Sequence, residues 1–172
     1  MTINGYKSFN NDGTNIIGEI LLPGNIYHCD GEIKFGPYGN GFHFAKNMED
    51  TIRYSDYDNF LRKIIIAEVI GSGIIDEGSD EYNGYYDLYA ASDLEIVRYL
   101  SREEIISLAL TLPSHRMVRF ISLFKLYPSE IPLFENIYHD VDLAIDYYQR
   151  GIKDVYNKAV SYTHLRAHET GR

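Results

Sequence analysis

Tryptophan is absent from this 172-residue chain, cysteine occurs once, as Cys29, and proline only five times. A single cysteine excludes an internal disulfide, and with no cysteine cluster it excludes a zinc knuckle or ribbon. No apolar run approaches the length of about eighteen residues that a spanning helix needs. The opening residues "MTINGYKSFN" have neither the basic region nor the apolar region of an export signal. Together these absences lead us to expect an unexported chain with no membrane partner, in a reducing cytoplasm, bacterial or viral. The chain also lacks HExxH, GxSxG, a Walker loop, and a GxGxxG that opens a helix. His28 and Asp30 share a face of an expected strand, and His43 could join them across a sheet. No paired cysteines or carboxylate cluster accompany them, so we expect no metal centre. Cys29 has no activating context either.

Charge is present but unevenly spread. Residues 1–110 carry 18 acidic against 8 basic side chains, a net of −10, whereas residues 111–159 carry 6 against 6. The acidic part repels phosphate backbones, which argues against direct nucleic-acid binding and leaves a basic protein partner as the expectation. Mimicry of nucleic-acid charge is a narrower form of the same idea. Tyrosine occurs 16 times. With abundant isoleucine, it fits either an A/T-rich genome or an aromatic contact surface.

Short strand signals punctuated by glycine fill the first part: "GYKSFN" (5–10), "IIGEILL" (16–22) ending at Pro23-Gly24, and "NIYHCDGEI" (25–33). Asn47 and the acids behind it predict a short helix over about 48–55. "KIIIAEVIG" (63–71) is apolar on both faces, which predicts a central strand, and "YYDLYAA" and "LEIVRYL" predict two more. Ser101 and Glu104 form a capping box that opens a helix to about Thr111. Beyond Pro113, Met117, Phe120, Ile121 and Phe124 recur at helical spacing. So do Val141, Ala144, Ile145, Tyr148, Ile152 and Val155 after Asp140. The fold class expected is therefore α+β: an acidic head of mixed, mainly antiparallel sheet with short helices over residues 1–110, then a helical appendage over 111–159.

Residues 160–172, "VSYTHLRAHETGR", resemble over their first eleven letters the in-frame translation of a transposon-type sequencing adapter. On that reading the authentic chain runs to about Ala159, its native end lies beyond, and His164 and His168 are not ligands. The other reading is a polar tail with an i, i+4 histidine pair.

"GPYGNGFHF" (36–44) is the stretch with the most chemical promise. In a strand Phe42 and Phe44 point one way and His43 the other, beside Gly41. His43 is then either a group that faces an accessible hollow, or a half-buried imidazole bonded to a neighbouring strand or loop. Among the carboxylates, Glu68 and Glu95 lie in strands. Arg98 is the cation available to Glu68, so the two form an expected structural ion pair. Glu95 shares a face with Val97 and Tyr99 and is a candidate for the border of a cleft. "DEYNGYYDLY" (80–89) combines aromatics and acids, making Tyr82, Tyr85, Tyr86, Asp87 and Tyr89 the candidate partner-binding residues.

The ordered series "GYKSFN", "GNGFHF", "IAEVIGSG" and "EIVRYLSREEI" resembles a small domain family of unknown function found in phage and prophage proteins. The resemblance covers residues 5–105, about two thirds of the chain, and none of the appendage. It implies a phage-associated accessory or interaction module with a variable C-terminal neighbour, and no particular activity. At a second level, GFHF followed by a small helix resembles the ADP-ribosyltransferase-like fold. That resemblance implies an NAD cleft with His43, Tyr6 and Glu95 as the candidate catalytic residues and NAD as cofactor. The first strand offers Tyr6 and Lys7 where such enzymes carry Arg or His. The leading expectation is thus a non-catalytic module that binds a protein partner and uses no cofactor. The alternatives are an NAD-using enzyme and an architectural piece of a longer protein.

Overall fold

The computed structural model describes residues 1–10, 12–15, 17–52, 64–80, 85–124 and 126–134. The chain divides into two compact units, Met1–Ile105 and Ile106–Arg172. The division lies a few residues before the boundary expected at 110.

The first unit carries five strands: β1 (Ile3–Phe9), β2 (Ile26–His28), β3 (Phe42–Ala45), β4 (Ile65–Asp80) and β5 (Tyr85–Tyr99). Every pairing is antiparallel. β4 and β5 pair along most of their length. β1 pairs with the first half of β4 from Ile3↔Gly71 to Phe9↔Ile65, and β3 pairs with β5 from Phe42↔Ala91 to Ala45↔Leu88. One pair, Tyr6↔Ala45, joins β1 to β3 and closes the circuit β1–β4–β5–β3. β2 pairs only with β5, through Ile26↔Glu95, Tyr27↔Leu94 and His28↔Asp93. The expectation of a strand apolar on both faces is met by Ile66, Ala67 and Val69, all buried, in a strand flanked on both sides by β1 and β5.

Large and small side chains share the interior. Phe9, Leu21, Phe44, Val69, Tyr89, Leu94 and Ile96 pack with Ala67 and Ala91. The Phe44 ring stacks on Tyr89 with centroids 5.6 Å apart. Its far edge lies where a Cβ on Gly71 would stand only 2.4 Å away, so Gly71 is glycine because the ring occupies its side-chain space.

Three expectations fail in instructive ways. The described residues of "IIGEILL", 17–22, form no strand beyond the single bridge of Ile20 to Thr14. Buried Asn15 gathers the chain instead: its Oδ1 accepts the N–H groups of Ile17 (3.2 Å) and Glu19 (2.8 Å), and its own N–H donates to the Glu19 carbonyl. A side chain that satisfies backbone donors locally competes with a ladder, and here it wins. Among the described residues of that run, Leu21 alone is buried in the core. "YYDLYAA" and "LEIVRYL" are one continuous strand, β5. "GSG" (71–73) does not end β4 either, because a register shift between Ser72 and Ile75, with Gly73 at φ +74°, absorbs the bend. Finally, the expected helix over 48–55 begins as a single 3-10 turn, Met48–Asp50. Asn47 makes no capping bond there, and the turn is buried instead of solvent-facing. Residues 53–63 lie outside the described residues.

The capping box forms as the spacing requires. The Ser101 Oγ accepts the Glu104 N–H at 3.1 Å, and the Glu104 carboxylate accepts the Ser101 N–H at 3.0 Å, opening α1 (Arg102–Ala109). In the second unit α2 spans Ser114–Leu123, and Phe120 stacks on Phe124 (4.7 Å) and Phe134 (6.0 Å) to form a small aromatic core. The second appendage helix expected after Asp140, and the tail 160–172, lie outside the described residues. The described part is thus α+β, with an antiparallel sheet and short helices.

Candidate functional site

His43 answers to the second of its two readings. It sits in β3 opposite Ala90, and the three glycines before it fold the loop 34–41 back over its ring. Its Nδ1–H donates to the Gly41 carbonyl at 3.1 Å, while Nε2 accepts the Gly36 N–H at 3.0 Å. Phe35 covers the imidazole with ring centroids 5.0 Å apart, and the Phe35 N–H donates to the Asp76 carboxylate at 2.7 Å. Gly39 lets the loop turn this tightly, since a Cβ there would lie 1.9 Å from the Lys34 carbonyl oxygen. Burial pushes the imidazole below its ordinary pKa, with a smaller push from the Lys7 charge, which favours the neutral tautomer that this bonding pattern needs. Both ring nitrogens are therefore committed to backbone, and His43 fastens the glycine loop to the sheet.

Lys7 is the residue that sequence reasoning passed over. It lies on the interior face of β1 with Phe9, opposite Ala67, and its Nζ donates to the His43 carbonyl at 2.7 Å. The ammonium stands 5.9 Å from the Phe9 ring centroid, and burial lowers its pKa from 10.5 to about 8. A lysine between a phenylalanine and a glycine-bearing strand could have been read as inward-facing from the strand period alone.

Tyr6, Glu68 and Arg98 form a row across β1, β4 and β5. Arg98 grips Glu68 through two bonds, Nε to Oε2 at 2.9 Å and Nη2 to Oε1 at 3.1 Å, and also bonds Glu104 of the capping box. The ion pair expected from sequence thus forms, and it extends to tie the end of β5 to the start of α1. Tyr6 stands beside it with its phenol pKa raised, first by burial and then by the negative charge of Glu68.

Glu95 is elsewhere. It pairs with Ile26 and Ile70, whereas the β5 partner of His43 is Ala90, five positions away, roughly 16 Å along an extended strand. No hydrogen bond among the described residues links His43, Tyr6 and Glu95. The aromatic surface is revised too. Tyr89 is 8% exposed and belongs to the core against Phe44, because its position in β5 faces inward. Asp87 is exposed with φ 56°. Tyr82 and the side chains of Tyr85 and Tyr86 lie outside the described residues.

A different surface emerges around β2. Leu22, Ile26 and Val97 are exposed, with Ile26 at 66%, and Ile17 and Ile20 continue the apolar run along the preceding loop. Gly24 N–H donates to the Ile96 carbonyl, and Leu22 N–H to the Tyr27 hydroxyl at 2.7 Å, so this loop is bound to β5 beside Val97. Glu95 and Asp93 stand opposite Ile26 and His28 in the ladder with β5, Glu19, Asp30 and Glu32 lie in the chain that flanks β2, and residues 8–33 contain no lysine or arginine. The Glu95 carboxylate makes no hydrogen bond or ion pair among the described residues. Comparison of the chain with protein-family models, with curated proteins and with solved structures gives no match in any of the three.

His28, at the end of β2, sits between two carboxylates. Nδ1 is 2.8 Å from Asp93 Oδ1 and Nε2 is 2.9 Å from Asp30 Oδ1, while Asp93 also accepts the Ser92 hydroxyl at 2.7 Å. These contacts, Asp93 first, raise the imidazole pKa. The ring nitrogens thus face carboxylates as hydrogen-bond partners. Among the described residues no group of histidine, cysteine and carboxylate side chains has the arrangement of a metal site. No described helix is long and apolar enough to cross a membrane.

Proposed function

We propose that the first unit is a non-catalytic interaction module of the phage-associated kind its motifs resemble, and that it binds a basic segment of a protein partner through the face built around β2. The observation that carries this reading is the coincidence of exposed Leu22, Ile26 and Val97 with Glu95, whose carboxylate has no partner among the described residues, and with a stretch, residues 8–33, that holds acids but no lysine or arginine. An apolar centre supplies contact area, and the charged rim steers and selects the partner. The commitment of both His43 ring nitrogens to backbone and the placement of Glu95 far along β5 support a binding role over an NAD-using one.

Reversing charge on the rim tests the reading. A peptide of alternating lysine and valine, followed by fluorescence anisotropy, is expected to bind the full chain and to weaken as salt is raised from about 0.05 to 0.5 M, because screening shortens the reach of the rim. Glu95→Lys combined with Glu19→Lys is expected to remove the salt dependence and most of the affinity. Binding indifferent to both salt and charge reversal would show that the acidic rim has no part in recognition.

A further inference from the structure

The way β2 is bonded determines what form the partner segment takes. In an antiparallel strand the backbone groups of alternate residues point to alternate edges. Ile96 N–H donates to the Asn25 carbonyl and Cys29 N–H donates to the Ser92 carbonyl, so Asn25, Tyr27 and Cys29 turn their peptide groups toward β5. Ile26 and His28 therefore direct their N–H and C=O groups the other way. Among the described residues nothing bonds to those four groups, and both residues are exposed. β2 is a short edge, three residues long, and Ile26-Tyr27-His28 contains no lysine, no proline and no bulge to block pairing.

We propose that the outer edge of β2 is a strand-addition site, which takes an extended segment of the partner protein, with alternating basic and apolar side chains, as a sixth strand. The inference rests on the reading of a basic partner and adds its conformation. Two peptide groups spaced i, i+2 match the hydrogen-bonding repeat of an incoming strand. The exposed side chain of Ile26 offers the apolar contact on one face, and Glu95, opposite it in the ladder and without a partner among the described residues, offers a carboxylate for a cation. Net charge disfavours a second copy of this chain, because residues 1–110 of each molecule carry a net −10 and repel their like.

The test compares the alternating lysine and valine peptide with the same peptide fully N-methylated on its backbone, using the intact, nitrogen-15-labelled chain. Strand addition predicts that the unmethylated peptide slows amide exchange at Ile26 and His28, and that methylation weakens binding by about tenfold or more through loss of the edge hydrogen bonds. Ile26→Pro removes an outward N–H without touching a bond to β5, so it is expected to keep the chain's exchange pattern elsewhere while losing the peptide to a similar degree. Equal affinity for the two peptides, with salt sensitivity intact, would overturn strand addition and leave the basic partner standing. Discrimination between the peptides without salt sensitivity would do the reverse. Failure of the unmethylated peptide to bind at about millimolar concentration, where even a weak complex of this kind registers, would overturn both.

Discussion

Replacing Lys7 by methionine should stabilise the first unit at neutral pH. The ammonium is held on the interior face of β1 with one acceptor, the His43 carbonyl, and burial lowers its pKa from 10.5 to about 8. At about 1.4 kcal/mol per pH unit this is a penalty of about 3 kcal/mol on the charged form. Lys7 keeps some surface exposure, so that figure is a ceiling. Methionine keeps the stem that packs on Phe9 and leaves the His43 carbonyl without its donor, a loss of about 1 kcal/mol. The expected net gain is about 1–2 kcal/mol near pH 7, a rise of several degrees in Tm for a unit of this size. The sign with pH is definite. Between pH 8 and 10.5 the unfolded chain still binds a proton that the folded chain has released, so wild-type stability rises across that window. The variant has no such term, and its advantage should shrink to nothing or reverse by about pH 10.5. Urea unfolding followed by circular dichroism at three pH values measures this. A methionine variant destabilised at neutral pH, by an amount that does not change with pH, would show that the amine is charged in the fold without penalty.

Other perturbations probe the packing and the β2 end. Gly71→Ala places a methyl group 2.4 Å from the Phe44 ring, and thermal unfolding should register a loss of about 2–3 kcal/mol, partly recovered by adding Phe44→Leu. For His28→Gln, the raised imidazole pKa means that its contribution is complete below the ordinary histidine value and is lost as pH rises through the folded one. The Tm gap between wild type and variant should therefore be larger near pH 5.5 than near pH 8.5, and a gap independent of pH would count against the carboxylate contacts.

Much of the sheet was legible because it rests on local pattern. The apolar run of "KIIIAEV", with both faces apolar, placed Ile66, Ala67 and Val69 in a strand, and the Ser101–Glu104 spacing opened α1. What the pattern could not carry was decided by contacts distant in sequence. Gly73 reads as a strand end unless one knows that Ser92, on the neighbouring strand, takes the Ile74 N–H at 2.8 Å and keeps the bent ladder together. Tyr89 looks like surface among acids until the register with Phe44 turns it inward. The site was the least legible part. The bonds that commit His43 come from Gly36 and Gly41, whose fold depends on Gly39 meeting Lys34. The β2 face comes from a loop whose hub, Asn15, carries no motif.

The pairing of β1 has a consequence for how the chain is made. Its ladder partner is the first half of β4, and Ile3 must wait for Gly71, which a ribosome adding about 5–20 residues per second delivers roughly 3–14 seconds later. Until then the backbone edge of β1 that pairs with β4 has no partner, so the nascent strand is exposed to any chaperone or misplaced strand that reaches it first.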